Sequence, residues 1–373
     1  MLRKLKELKI KLMKYKRILF VLLIPLSFIL TYFAKNNISF AEFYATKTYP
    51  VFAQSIGFVS GLVPFSLGEA VLVTGLISII LYVVFTAIKI IKHKSSKYAK
   101  NFIINTAVLV SCLYFLFVLF CGLNYYRYEF TAYSGLEIKA SSKGELIELC
   151  EGLINKANDL RLKLNTNENG VSALDDNSYY ETSIRAQYSF NNISNKYEVL
   201  KGNYSRPKPV ILSRAMSQMQ ITGIFFPFTF ESNVNVDIPP YEIPATMCHE
   251  LSHLRGFMRE DEANFISYLA CINSGYDDFA YSGTMRALTY SMNALYLEDY
   301  NAFETLHKKY SENVYNDIKY TSNYWKQFET KIAEISSKIN DTYLKANDQA
   351  DGVKSYGRMV DLLLAEQRQK NKI

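Results

Sequence analysis

A chain of 373 residues with a formal net charge of +7 has room for one sizeable domain and a membrane anchor. Eight basic residues lie in the first 17 positions, directly before an apolar segment. This distribution is typical of a cytoplasmic tail that flanks a membrane span, and it disfavours nucleic acid as a partner. The five cysteines, three of them outside the apolar segments, do not make a disulfide framework.

Three apolar segments, at about 18–34, 71–88 and 102–123, are each close to the length that crosses a bilayer. The first segment ends in Tyr32-Phe33-Ala34 and lacks the small residue that a signal-peptide cleavage site needs three positions before the cut. We therefore expect an uncleaved anchor rather than a cleaved signal peptide, and the lipid bilayer as a partner.

The loop charges predict the orientation of these spans. Lysine and arginine are concentrated before the first span and between the second and the third, and such loops stay in the cytoplasm. The sequence thus predicts three parts: a basic cytoplasmic tail at 1–17, a membrane anchor at 18–124 and an extracytoplasmic domain at 125–373.

The domain at 125–373 is expected to be α+β, mostly helical with a small sheet. Ser142 and Glu145 form a capping-box pattern that predicts a helix start, and a second helix is predicted at 179–197. Short apolar runs at 210–212 and 221–228 predict strands, and the alternation at 233–237 predicts a half-exposed strand. After 273 the chain reads as helical to its end, with the main helices at 284–298, 324–344 and 356–370.

The most informative motif is His249-Glu250-Leu251-Ser252-His253, which holds two of the four histidines. On a helix, residues four apart share a face, so both imidazoles can reach one metal ion. Glu250 then lies where a zinc peptidase places its general base. A surface helix that carried two histidines by chance would show charged residues on its outer face. In 244–254 the only Asp, Glu, Lys or Arg is Glu250, which favours a buried helix.

A catalytic zinc site needs a third protein ligand. Arg259 occupies the position of the third histidine in metzincins, and a guanidinium cannot ligate a cation. The segment 260–264 is similar to the E-x-x-A-[D/N] element of gluzincins instead. It indicates Glu260 as the third ligand and Asn264 as the residue that orients a histidine ligand. Glu262 stays open as the alternative ligand.

A wider resemblance rests on 205–271 and 355–361, in particular Arg206-Pro207-Lys208-Pro209, Gly223–Thr229, Asn233-Val234-Asn235 and His249–Cys271. With these motifs the chain resembles the bacterial domain-of-unknown-function family 3810 over nearly its whole length. The resemblance implies a gluzincin-like zinc-peptidase fold anchored by amino-terminal spans, and it implies no established substrate. His249, Glu250 and His253 match the family pattern without departure.

The expected function is that of a membrane-anchored zinc metallopeptidase, in which Glu250 activates a zinc-bound water to hydrolyse peptide bonds outside the cytoplasmic membrane. The strand at 233–237, with Asn233 and Asn235, is expected to form the cleft rim where an extended peptide or protein substrate pairs, although an ordinary edge strand fits the pattern equally well. Four residues are candidates for stabilising the oxyanion: Tyr281, Tyr290, Tyr356 and Arg358.

Two other functions fit the sequence. The first is a non-catalytic receptor or scaffold that keeps a zincin fold for binding at the cell surface, and the intact Glu250 disfavours it. The second is a quality-control protease whose domain faces the cytoplasm, which differs from the first hypothesis only in topology. The sequence does not distinguish a protein, a peptide or a cell-wall cross-bridge as the substrate.

Overall fold

The computed structural model describes residues 16–175 and 178–371, which form two compact units. The first unit contains residues up to Tyr49 and Leu67–Arg127, and the second contains Pro50–Ser66 and the chain from Tyr128 onward. Most of the predicted basic tail, at 1–15, lies outside the described residues. The segment 50–66, which lies between the first two predicted spans, thus groups with the carboxy-terminal unit.

The described part of the first unit consists of helices. After a 3-10 turn at Leu19–Leu22 come α1 (Leu23–Asn36), α2 (Ile38–Phe43) and a π-helical turn at Tyr44–Thr48. Helix α3 (Tyr49–Gly61) belongs to the second unit from Pro50 on, and α4 (Leu67–His93) and α5 (Ser96–Phe120) complete the first. Among the described residues, three helical stretches are long and apolar enough to cross a membrane, namely Lys16–Asn36, Leu67–His93 and Ser96–Phe120. The three predicted spans are therefore confirmed as candidate membrane helices.

The second unit is mostly helical. Its helices after α3 are α6 (Thr131–Ser134), α7 (Lys143–Arg161), α8 (Tyr179–Ser194), α9 (Ser213–Gln218), α10 (Ile243–Leu254), α11 (Glu260–Ile272), α12 (Asp277–Glu298), α13 (Tyr300–His307), α14 (Glu312–Lys326), α15 (Lys331–Ala346) and α16 (Met359–Lys370). The predicted capping box is present at the start of α7, where Ser142 and Glu145 each bond the other's backbone N–H. The helix predicted at 324–344 is instead two helices, because Thr330 caps the start of α15.

A small sheet lies beside these helices, in the order β1-β3-β2. Strand β1 (Lys208–Pro209) runs parallel to β3 (Glu231–Val234), and β2 (Gly223–Phe226) pairs with β3 in the antiparallel sense. The prediction of a half-exposed strand at 233–237 is wrong, because β3 ends at Val234 and is buried along its whole length. The alternation of Asn and Val misled the prediction because these asparagines are buried: the Asn235 amide donates to Ser217 Oγ and Ile221 O, both at 2.9 Å.

Helix α10 occupies the centre of the second unit and is buried from end to end. Pro244 lies in its first turn, where the missing N–H has no intrahelical acceptor to lose. Gly256 follows its end with φ = 85°, a left-handed conformation that side chains with a Cβ disfavour. The Gly256 N–H donates to His253 O at 2.8 Å, so the chain reverses there and leads directly into α11.

Candidate metal centre

Helix α10 presents two imidazoles and α11 adds a carboxylate. His249 Nε2 and His253 Nε2 lie 3.1 Å apart. Glu260 Oε2 is 3.2 Å from His249 Nε2 and 3.6 Å from His253 Nε2. All three side chains are buried, and their ligand atoms lie within 4.8 Å of one another. The residues predicted as ligands from their spacing thus form one group that could bind a metal ion.

The ring of His253 is held by the loop that follows α10. Its Nδ1 lies 2.8 Å from Phe257 O, and because a carbonyl only accepts, Nδ1 is the donor. In the neutral imidazole the lone pair is then on Nε2, which faces the other two ligand atoms. This contact is the kind of support that fixes the tautomer and orientation of a metal-binding histidine.

The three donor atoms fit a zinc ion in number, type and spacing. Ligand atoms at about 2.0–2.2 Å from a tetrahedral zinc lie about 3.3–3.6 Å from one another. The observed separations are 3.1, 3.2 and 3.6 Å. Glu260 Oε2, although close to two nitrogens, makes no well-formed hydrogen bond within the described residues. The three atoms therefore lie close together around one shared position.

Burial and charge in this group favour a cation. Burial alone would raise the pKa of Glu260, but the charge of His253 and the contacts with both imidazoles hold it well below its usual range. Burial would likewise lower the pKa of His253, but the charges of Glu260 and Glu250 outweigh it and raise that pKa to about 9. Burial lowers the pKa of His249 to about 4. The buried carboxylate thus has positive charge beside it from the protonated His253, at a place where a bound metal ion would supply that charge instead.

Glu250 lies against strand β2. A Cβ at Gly223 would be only 2.5 Å from Glu250 Oε1, so glycine is required for this close approach. The Phe225 N–H is a hydrogen-bond donor to the carboxylate, and burial raises the pKa of Glu250 to about 8. The sequence places the motif's glutamate beside the metal ligands, and the structure adds the strand that contacts it.

Strand β2 turns one backbone edge away from the sheet. The Asn235 N–H donates to Thr222 O at 2.9 Å, one residue before β2. Because hydrogen-bonded pairs alternate in an antiparallel ladder, Ile224 bonds to β3, whereas the N–H and C=O groups of Gly223 and Phe225 point outward. The contact from the Phe225 N–H to Glu250 agrees with this register. The outer edge of β2 therefore borders the candidate base.

The comparisons with known proteins give a family. Residues 44–364 match the family described as "Protein of unknown function (DUF3810)". The chain belongs to this family. No curated protein matches it, and no solved structure matches it. Membership of DUF3810 therefore confirms the resemblance of the sequence and carries no activity with it.

Glu262 and Asn264, which were predicted to lie at the candidate metal centre, have other partners. Glu262, the alternative ligand, accepts the Phe130 N–H at 2.5 Å and lies outside the ligand group. Asn264 Oδ1 accepts from Arg286 Nη1 at 3.1 Å, while Asn264 Nδ2 and His249 Nδ1 have no hydrogen-bond partner in the described part of the chain. The structure thus favours Glu260 over Glu262, and it gives Asn264 a contact with α12 instead of a histidine.

The four candidates for oxyanion stabilisation differ in their partners and in their position relative to the candidate metal centre. Tyr281 donates to Asp317 at 2.6 Å in a buried network, and Arg358 is exposed with its guanidinium 3.3 Å from Asp351. The side chain of Tyr356 lies outside the described residues. Tyr290 is the candidate near the metal centre, where the charge of Glu260 acts on it and burial raises its pKa.

Sequence reasoning missed three residues that support the site. Arg286 ties α12 to Asn264 and, at 2.8 Å, to Thr246 Oγ1 of α10, and nothing in its sequence context marks that role. Gly223 and Phe225 form the strand beside Glu250. The strand itself was predicted within the apolar run at 221–228, and β2 confirms it. Its glycine was the signal that another group approaches closely, which could have placed the strand beside Glu250.

Proposed function

We propose that the chain is a membrane-anchored, zinc-dependent metallopeptidase with a zincin-like domain that hydrolyses peptide bonds outside the cytoplasmic membrane. His249, His253 and Glu260 would hold the zinc, as the convergence of their donor atoms beside a buried glutamate supports. Zinc in such a site polarises the scissile carbonyl and lowers the pKa of a water molecule.

Glu250 carries the proton transfer in this proposal. Its carboxylate takes a proton from the attacking water and returns it to the leaving amine, a role usually worth about 10²–10⁴-fold in rate. The Phe225 N–H orients one side of the carboxylate, and Glu250 Oε2 has no hydrogen-bond partner among the described residues. That oxygen is the atom we assign to the substrate water. Tyr290 is our candidate donor to the oxyanion.

An extended peptide would bind along β2 rather than along β3. Both edges of β3 are paired, so we transfer the rim function predicted for Asn233 and Asn235 to the outward N–H and C=O groups of Gly223 and the C=O of Phe225, since the Phe225 N–H is committed to Glu250. Ile224 is 42% exposed on this strand and offers an apolar contact to a substrate side chain.

The location outside the cytoplasm rests on the lysines and arginines of the loops. Protease added to intact spheroplasts should digest the domain that follows the third span, while a cytoplasmic marker protein stays intact. Full protection of the domain would favour the cytoplasmic-facing protease instead.

The chemistry is tested on the full chain in detergent. We expect about one zinc per chain and cleavage of members of a broad peptide library. Glu250→Gln, a nearly isosteric change, should keep the zinc and lose about 10²–10⁴-fold in rate. The control Glu198→Gln makes the same change at a side chain that is 87% exposed, and it should cut at the wild-type rate.

Two results would contradict this proposal. Cleavage by Glu250→Gln at the wild-type rate would remove Glu250 as the base. A zinc-loaded chain that cuts no member of the library would favour the receptor or scaffold function.

A further inference from the structure

Helix α3 and the residues after it expose their large apolar side chains. The exposed fractions are 62% at Val51, 67% at Phe58, 63% at Val59, 69% at Leu62 and 46% at Phe65. We call these five residues the outer face. The small residues of the same helix point the other way, since Ala53, Gly57 and Ser60 are buried. A helix on a water-exposed surface has the opposite arrangement, with its large apolar side chains against the core.

The small face of α3 packs on the second unit itself. A Cβ at Gly57 would lie 3.5 Å from Phe230 O, and one at Gly61 would lie 3.4 Å from Ser205 Cβ. The Gln54 side chain adds a polar contact, in which Oε1 accepts the Asn203 N–H at 3.0 Å. Small residues at such contacts let two backbones approach closely, as they do between helices in membranes.

A buried lysine secures the end of this segment. Lys208 Nζ donates to Ser60 O at 2.6 Å and to Phe65 O at 3.0 Å, and it pairs with Glu231 Oε1 at 2.5 Å. Ser60 O lies at the end of α3, where the last carbonyls have no intrahelical donor. Buried backbone carbonyls need a hydrogen-bond donor, and Lys208 supplies one to each of these two.

We propose that the outer face of α3 is buried in the lipid of the bilayer, so that the carboxy-terminal unit makes a membrane contact of its own. Pro50–Ser66 contains no Asp, Glu, Lys, Arg or His, and Ser66 is joined directly to Leu67, where a candidate membrane span begins. A lipid-facing helix typically turns its small residues toward the protein and its large apolar residues outward.

This contact is independent of the peptidase proposal. Lys208 lies in β1 and Glu231 in β3, so the lipid-facing segment is fastened to the sheet whose outer strand borders Glu250. In a further step, which rests on the proposed function, peptide bonds close to the membrane surface are the ones that the site would reach.

The test uses tryptophan fluorescence of the full chain in proteoliposomes. Phe58→Trp and Leu62→Trp each add one indole on the outer face, and the wild type, with Trp325 alone, gives the background. Ile211→Trp is the matched control, because Ile211 belongs to the same unit, is 82% exposed and is not part of the outer face. Phosphatidylcholine brominated on its acyl chains reports lipid contact, and iodide reports water contact.

We expect brominated lipid to quench most of the added fluorescence at 58 and 62, with little effect of iodide, and the reverse at 211. Quenching of both outer-face indoles by iodide but not by brominated lipid would place the face in water and overturn the proposal. Protection from both quenchers would mean that protein covers the face, for example a second copy of the chain, and would overturn it as well.

Discussion

Two buried clusters of charged side chains in the second unit differ in one respect. In the first, Arg161 Nε donates to Asp317 Oδ2 at 2.7 Å, and the Tyr281 hydroxyl donates to the same oxygen at 2.6 Å. The Ser172 N–H donates to Asp317 Oδ1 at 3.0 Å, and the guanidinium also reaches Thr166 Oγ1 at 3.2 Å. The protein itself supplies every partner that this ion pair needs.

The metal centre is buried to a similar degree but is not completed by protein groups. His249 Nδ1 and Glu250 Oε2 have no hydrogen-bond partner within the described residues, and Glu260 Oε2 is close to the two imidazole nitrogens but forms no well-aligned hydrogen bond with them. Buried polar atoms are almost always paired, so unpaired ones need a specific reason. In the Arg161–Asp317 cluster the charges satisfy one another, whereas the candidate metal centre keeps buried polar atoms available to a bound ion.

The largest effect that would sharpen this contrast is expected in His253→Ala. One of three ligand atoms is lost, so zinc content should fall from about one per chain to a small fraction, and any peptidase activity should disappear with it. Elemental analysis of the purified full chain measures the zinc. A fully loaded His253→Ala variant would break the assignment of the cluster as a metal site.

Asp317→Ala should have the opposite signature. It leaves the Arg161 guanidinium, which is 1% exposed, without its carboxylate, and such a loss typically costs about 3–5 kcal/mol of unfolding free energy. The folded fraction should still bind zinc like the wild type. Thermal unfolding with zinc analysis of the folded protein measures both quantities. Loss of zinc from the folded variant would show that the two clusters are coupled.

The smallest expected effect is a difference in zinc affinity between variants of two neighbouring acids, Glu260 and Glu262. Glu260→Gln should weaken zinc binding by more than the roughly 10–100-fold that supporting residues contribute, because it removes a ligand charge. Glu262→Gln is the matched control, since its amide oxygen can still accept the Phe130 N–H. Competition with a zinc chelator gives both affinities. An equal or larger loss in Glu262→Gln would move the ligand from Glu260 to Glu262.

The sequence by itself determined the features that depend on residues close together in the chain. The capping box before α7 and the three apolar helices are local properties of the chain, and both were predicted. The meeting of His249 and His253 follows from the helical repeat alone. Glu260 was preferred because of a motif that is itself local, and the structure brings it to the histidines.

Only the tertiary structure decided the contacts between distant segments. It put β3 in the middle of the sheet and β2 at its edge beside Glu250, because pairing depends on strands that are far apart in sequence. The tertiary structure also pairs Asn264 with Arg286 of α12, and no pattern in the sequence indicates that contact. It also turned the small face of α3 toward Ser205 and Phe230, and hydrophobic content alone cannot predict that choice, since it depends on which surfaces can approach closely enough to pack.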